Sequence, residues 1–262
     1  KNLANLGDFY VNEAFSCSHR NHASVSNITN YIESFAGFLF EEEINALKKL
    51  TIEINKPITC IIGGSKITSK IEVIKNLIPR FNNLIIVGGM ANNFYLHKGY
   101  KIGKSLYEKS SENIVKNILQ LGENNKCSIY IPEDVKVGKS RNDIATNKEI
   151  NAIENDDMIL DIGDNSLIKI EKILENSSTV LWNGPAGYFE NPNFSEGSFK
   201  IANIISDKTQ AGKLYSVIGG GDTVAVINKK ELFKKFNFVS TAGGAFLEYL
   251  EGKELPGIKA LG

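Results

Sequence analysis

Five glycine-bearing stretches in this 262-residue chain carry the residue types that hold an anion. They are Gly63-Gly64-Ser65-Lys66, Gly88-Gly89-Met90, Asn183-Gly184-Pro185-Ala186-Gly187, Gly219-Gly220-Gly221-Asp222-Thr223 and Thr241-Ala242-Gly243-Gly244. Each follows a short aliphatic or β-branched run. Glycine lets backbone N–H groups come close to an anion and adopts positive φ without strain. A helix beginning at such a turn adds unpaired N–H donors and a partial positive charge. The chemistry this predicts is phosphate binding. Gly219-Gly220-Gly221-Asp222-Thr223 is the strongest instance, because three consecutive glycines carry an entropic cost. Its Asp-Thr end adds a carboxylate suited to Mg²⁺ and a hydroxyl suited to a phosphate. Lys66 and Lys70 follow the first turn at i, i+4 spacing, which predicts that they project from one side of a helix start.

A second cluster is His19-Arg20-Asn21-His22, which holds two of the three histidines. Arginine offers a planar fork for carboxylate or phosphate, and the flanking imidazoles add donors. The third histidine, His97, stands alone and reads as structural. No His, Cys or carboxylate spacing suggests a zinc cage. Cys17, Cys60 and Cys127 are distant from one another and form no CxxC pair, so they read as buried small hydrophobes. Two familiar phosphate fingerprints fail. Gly99-Tyr100-Lys101-Ile102-Gly103-Lys104-Ser105 is one residue too short for a Walker A loop, and no GxGxxG follows a strand.

These residues need elements to position them. Apolar runs near 57–62, 84–87, 128–131, 158–161, 179–182, 214–218 and 238–240 read as strands covered on both faces. Amphipathic stretches near 66–79, 109–121, 164–176, 195–209 and 222–235 alternate with them. Strand and helix in repetition predict a parallel α/β sheet, doubly wound and Rossmann-like, with helices on both faces. In such a sheet the strand ends share one edge, so the five turns are expected to converge on one crevice. Residues 8–12 read as a strand and residues 29–50 as a long helix, with Glu41-Glu42-Glu43 on its solvated face. This predicts residues 1–50 as the end of a second α/β domain whose beginning is absent. Residues 51–240 would then form the nucleotide-binding domain, and 241–262 a closing segment at the nucleotide site that leads back toward the N-terminal domain.

Charge is balanced at 30 basic and 30 acidic side chains, without a basic face or charged tail that would point to nucleic acid. No apolar run approaches the length of a membrane span, and the first residues lack a signal-peptide core. A cytoplasmic location is expected.

Taken in order, these segments resemble the phosphoglycerate kinase family. The resemblance rests on Asn12-Glu13-Ala14-Phe15-Ser16 through His22-Ala23-Ser24, on Gly63-Gly64-Ser65-Lys66 and on Gly88-Gly89-Met90-Ala91-Asn92. It continues through Ile102-Gly103-Lys104-Ser105-Leu106, Leu181-Trp182-Asn183-Gly184-Pro185, Phe189-Glu190, Gly219 to Thr223, Ser240 to Ala245 and Leu250-Glu251-Gly252-Lys253. It implies reversible transfer of the acyl phosphate of 1,3-bisphosphoglycerate to ADP, giving 3-phosphoglycerate and ATP, with Mg²⁺ accompanying the nucleotide, in a monomer.

By the same resemblance, His19, Arg20 and His22 face the phosphoglycerate. Lys66, Arg20 and the backbone of Gly220 and Gly243 serve the transfer itself. Gly63, Gly64, Lys70, Asn183, Gly184, Pro185, Gly219, Gly221 and Thr223 hold the nucleotide with Lys66 and Gly220. Gly88 and Gly89 border the adenine, Glu190 takes the ribose, and Asp222 binds the metal. The acceptor is a carboxylate, ionised at neutral pH, so positioning and charge stabilisation suffice without a general base. A hinge closure is expected to bring the two substrates together.

Two positions depart from the family pattern: Ala242 stands in place of a glycine and Asp164 in place of a proline. Family chains are also longer by about half, and the missing part carries further substrate residues. The alternative this raises is a chain that binds Mg-nucleotide with little or no turnover. An unrelated nucleotide-dependent oxidoreductase is a third reading, disfavoured by the absent GxGxxG.

Overall fold

A computed structural model describes residues 1–262, which divide into two compact units. One comprises Lys1–Ile54 with Ser240–Gly262, the other Asn55–Val239.

The first unit opens with β1 (Tyr10–Asn12), which pairs in parallel with β2 (Ser34–Ala36), followed by α1 (Phe38–Thr51). The expected helix over 29–50 therefore starts later. Residues 27–30 form a 3-10 turn, and Ser34–Ala36 is a strand the hydrophobic pattern did not disclose. Glu13 sets the boundary. Its carboxylate accepts from the backbone N–H of Phe38 and Leu39 at 3.1 and 2.9 Å, closing the open helix end. Gly37 has no room for a Cβ beside that carboxyl group. The Glu41–Glu43 run is only partly solvated. Glu41 and Glu42 are exposed, but Glu43 is buried and accepts from the Ser240 hydroxyl at 3.0 Å. Burial, only partly offset by bonds from Ser240 and the Thr241 backbone, pushes its carboxyl up to about 7.

The second unit carries a six-stranded sheet. Its strands are β3 (Ile58–Ile62), β4 (Asn83–Ile86), β5 (Ser128–Tyr130), β9 (Thr179–Asn183), β10 (Tyr215–Gly219) and β11 (Phe238–Ser240). A separate antiparallel sheet holds β6 (Asp134–Gly138), β7 (Thr146–Glu149) and β8 (Met158–Ile162), with β6 in the middle. The large-sheet order is β11-β10-β9-β3-β4-β5, and the pairings from β10 through β5 are parallel. Every residue of β3 and β9 is buried, as their unbroken apolar runs require.

The helices are α2 (Ile71–Leu77), α3 (Ala91–His97), α4 (Glu112–Asn124), α5 (Asp164–Glu175), α6 (Glu196–Gln210) and α7 (Gly221–Lys229). The strand order runs outward in both directions from the β3–β9 pair. Right-handed crossovers place the α2–α4 group and the α6–α7 group on opposite faces. Accordingly α2 and α3 pack on α4, while α6 packs on α5 and α7. Ile61, Ile85, Trp182 and Ile218 of the sheet share one core cluster with Ile201 of α6.

The 158–161 run was expected in the parallel sheet. It lies instead in the antiparallel one, because an apolar run does not say which strand it pairs with, and the β6–β7 hairpin supplied a partner. The helix expected over 222–235 ends at Lys229, and that over 66–79 begins only at Ile71.

The chain then returns to the first unit through α8 (Gly244–Leu250) and α9 (Pro256–Lys259). Phe246 and Leu250 are buried there, as are Phe15 and Phe40, whose rings meet edge to face at 5.4 Å. Gly257 N–H donates to the Ser18 carbonyl at 2.8 Å, with no space for a side chain between them. No helix is long and apolar enough to cross a membrane.

Candidate active site

The reversal of strand order falls between β3 and β9, where doubly wound sheets open a crevice at their carboxyl edge. The turns leaving these two strands touch through backbone alone. Gly63 N–H donates to the Asn183 carbonyl at 2.9 Å. Gly184 stands at φ +107, and a Cβ there would enter the backbone of Gly63. The turn after β4 joins them. Gly88 N–H donates to the Ala186 carbonyl at 3.1 Å, and Met90 N–H to the Gly64 carbonyl at 2.9 Å. The turn after β10 closes the group. Gly184 N–H donates to the Thr223 hydroxyl at 2.6 Å, and the Asn183 amide donates to the Gly219 carbonyl at 2.8 Å. Gly220 has φ +92 and accepts from Val224 N–H, while Gly221 has open space above it at the start of α7. Four of the five glycine turns thus meet at one edge.

The lysines are arranged differently from the expected i, i+4 pair. Thr68–Lys70 is a 3-10 turn ahead of α2, so helical spacing does not apply. Lys66 is exposed. Lys70 is half-buried, and its amine donates to the Asn183 side-chain carbonyl. Burial pulls the Lys70 amine below its ordinary value, opposed by Cys60 and Asp222. Asp222 is exposed in the first turn of α7, and Thr223 is buried.

Beside this edge lies a cleft of about 290 Å³. Gly64, Gly88, Gly89, Pro185, Glu190 and Asp222 all line it, whereas Gly63, Lys66, Lys70, Asn183, Gly184, Gly219, Gly220, Gly221 and Thr223 do not. Its apolar wall includes Leu106, Met158, Leu160 and Phe189. Sequence reasoning did not single out Tyr188, Asp161 or Arg141, which also line it. Asp161 had no signal, since it ends what reads as an ordinary core strand. It is 2% exposed and accepts from Gly197 N–H at 2.8 Å and Ile162 N–H at 2.9 Å. Burial pushes its carboxyl up to about 7, against the pull of those two N–H groups.

The His-Arg cluster belongs to the other unit, as does the fifth glycine turn. Arg20 and His22 are exposed, whereas His19 is half-buried with its Nδ1 lacking a partner. The His19 ring faces the start of α8. Its Nε2 lies 3.4 Å from where a Cβ on Gly244 would stand, and Gly243 takes φ +57. Ala242 is buried and outside the positive-φ set, so an alanine fits there. Asp164 begins α5 and meets Lys136 at 3.3 Å, an acidic first turn in place of proline.

Fold and site together define a doubly wound α/β protein whose parallel sheet ends in interlocked glycine turns at the reversal of strand order. The phosphoglycerate kinase family model matches residues 1–253, and the chain belongs to that family. It is 45% identical to phosphoglycerate kinase of Wolbachia pipientis wMel over all of this chain and 66% of that one. It is 42% identical to the Zymomonas mobilis enzyme of the same name over 99% of this chain and 66% of that one. The solved phosphoglycerate kinase of Coxiella burnetii superposes with a TM-score of 0.94 at 38% identity, covering 99% of this chain and 66% of that chain. The chain therefore spans about two thirds of the length of these relatives. Family membership overturns the oxidoreductase alternative.

Proposed function

We propose that the protein transfers the acyl phosphate of 1,3-bisphosphoglycerate to ADP, reversibly, yielding 3-phosphoglycerate and ATP. The observation that carries this reading is the contact of four glycine turns at the β3–β9 reversal, in a chain whose family model covers residues 1–253.

The nucleotide takes the cleft. Its base lies toward Gly88 and Gly89, its ribose toward Glu190, and its phosphates over Gly63, Gly64, Gly184, Pro185, Gly219, Gly220, Gly221 and Thr223. Lys70, held by Asn183, contributes positive charge close to those phosphates. Lys66 is exposed and long enough to meet the phosphoryl group in transfer. Asp222 fits a Mg²⁺ that is bound mainly through phosphates and water, since it offers one exposed carboxylate at the phosphate edge. Bound there, Mg²⁺ would offset the charge of the phosphate chain. His19, Arg20 and His22 bind the phosphoglycerate, with the Gly243–Gly244 backbone beside His19. The reacting carboxylate is already ionised, so these groups orient and neutralise rather than move a proton.

A coupled assay tests the reading. ATP should form only when 1,3-bisphosphoglycerate, ADP and Mg²⁺ are all present. Nucleotide binding with no ATP formation would overturn it.

A further inference from the structure

Lys66 and Lys70 stand on a segment that carries no cap of its own. Neither the 3-10 turn Thr68–Lys70 nor α2 behind it receives a hydrogen bond from the side chain at its own N-cap. The free N–H groups of such a start need a partner. Glu108, 40 residues further along the chain, supplies it. One oxygen of its carboxylate accepts from Thr68 N–H at 3.0 Å, and the other accepts from the Thr68 hydroxyl. Burial raises the Glu108 carboxyl, but the bonds from Thr68 and Ile67 and the nearby Lys66 together hold it below its ordinary value.

Glu108 is itself fixed from behind. Its N–H donates to the Asn93 side-chain carbonyl at 2.9 Å, which also accepts from the Ser111 hydroxyl at 2.9 Å. Asn93 is 2% exposed, and its amide donates to the Met90 carbonyl at 3.1 Å. Asn92 beside it donates to the Leu106 carbonyl at 2.8 Å. Two buried asparagines of α3 thus hold the segment from Leu106 to Ser111 at both ends. A line of hydrogen bonds runs from Met90 through Asn93 and Glu108 to Thr68, joining the turn after β4 to the lysine-bearing turn after β3. Two effects of the Glu108 carboxylate oppose each other. Its charge repels phosphates, but the site is only partly buried, so screening limits this to about threefold in affinity. Its bonds fix the backbone between two long side chains, each of which carries an ordering cost when it meets a ligand. They also occupy the Thr68 N–H and hydroxyl.

We propose that Glu108 is a positioning residue that sets Lys66 and Lys70 for the nucleotide phosphates by anchoring the turn between them. The proposal rests on the nucleotide-site reading above. Calorimetric titration of Mg-ATP and of adenosine into the wild type, Glu108→Ala and Glu108→Gln tests it. Adenosine has no phosphate for the lysines to meet. Glu108→Ala should weaken ATP by about tenfold, the cost of ordering two lysines less the relief of one charge, and adenosine by less than about twofold. Glu108→Gln keeps one acceptor and sheds the charge, so it should bind ATP within about twofold of the wild type. In a Lys66→Ala/Lys70→Ala background, Glu108→Ala should cost ATP no more than about twofold, because residues that act through one another are not additive. A loss shared equally by adenosine would mark a general structural role. An undiminished loss without the lysines would mean that Glu108 acts elsewhere. Unchanged or tighter ATP binding in Glu108→Ala would leave only the repelling charge. Each of these overturns the proposal and leaves the nucleotide site standing. If Glu108→Ala does not fold, Thr68→Val decides by the same comparison, with about threefold expected for ATP and no change for adenosine. A wild type that binds neither ligand would overturn both readings.

Discussion

Asp161 and Asp222 line one cleft, the first buried and the second exposed. Asp222 is exposed, so its carboxylate is free to serve a ligand. Asp222→Ala should therefore leave the thermal midpoint nearly unchanged while weakening Mg-ADP by about tenfold or more. Calorimetry with and without Mg²⁺ checks this, and equal ADP affinity in both conditions would remove the metal assignment. Asp161 is buried, with its carboxyl pushed up to about 7 from an ordinary 3.8. Between those values the folded protein keeps a proton that the unfolded chain has released. The stability this provides is complete below pH 3.8 and is lost as pH rises through about 7. The loss has a slope of up to about 1.4 kcal/mol per pH unit. Denaturation between about pH 5 and pH 8 should become less pH-dependent in Asp161→Asn. An unchanged slope would show that the Asp161 carboxyl does not titrate in this range.

At the scale of elements, the glycine turns are packed objects rather than loose loops. Gly184 combines φ +107 with direct contact against Gly63. Gly212 has φ +67 but open space around it. Gly184→Ala should therefore cost more than Gly212→Ala, by at least about 1–3 kcal/mol, and should also weaken ADP binding. Urea denaturation of the two variants decides, and equal costs would mean that the β3–β9 turn can relax.

How much of this was legible beforehand follows the same physics. The buried strands β3, β4, β9 and β10 announce themselves as apolar runs, and the turns after them as glycine. β2, β6 and β7 do not. β7 is Thr146–Glu149, largely exposed, and β6 mixes Asp134 and Lys136 into a buried strand by giving each a polar partner. Such strands are set by partners distant in sequence, which a local pattern cannot contain. Asp161 and Arg141 escaped notice for the same reason. Their settings come from Gly197 and Tyr188, which the fold brings to them.

At the scale of the whole molecule, the central pairing of the larger unit joins distant parts of the chain. The Thr59 and Ser177 hydroxyls meet at 2.7 Å although 118 residues separate them, and Thr179 donates to the Asn55 carbonyl across 124 residues. During synthesis β3, β4 and β5 emerge first. At roughly 5–20 residues per second, β9 follows β3 after roughly 6–24 s. Through that interval one flank of β3, the strand that ends at the reversal of strand order, is an open apolar sheet margin of the kind that pairs with the wrong neighbour. Chains arrested on the ribosome before β9 emerges should be cut by protease within residues 55–90, and longer chains should resist. Early protection would mean that the first three strands close on their own. The same reversal of strand order that opens the crevice for a ligand thus makes the nascent chain wait longest for the neighbour of its innermost strand, and places the period of greatest aggregation risk before the site exists.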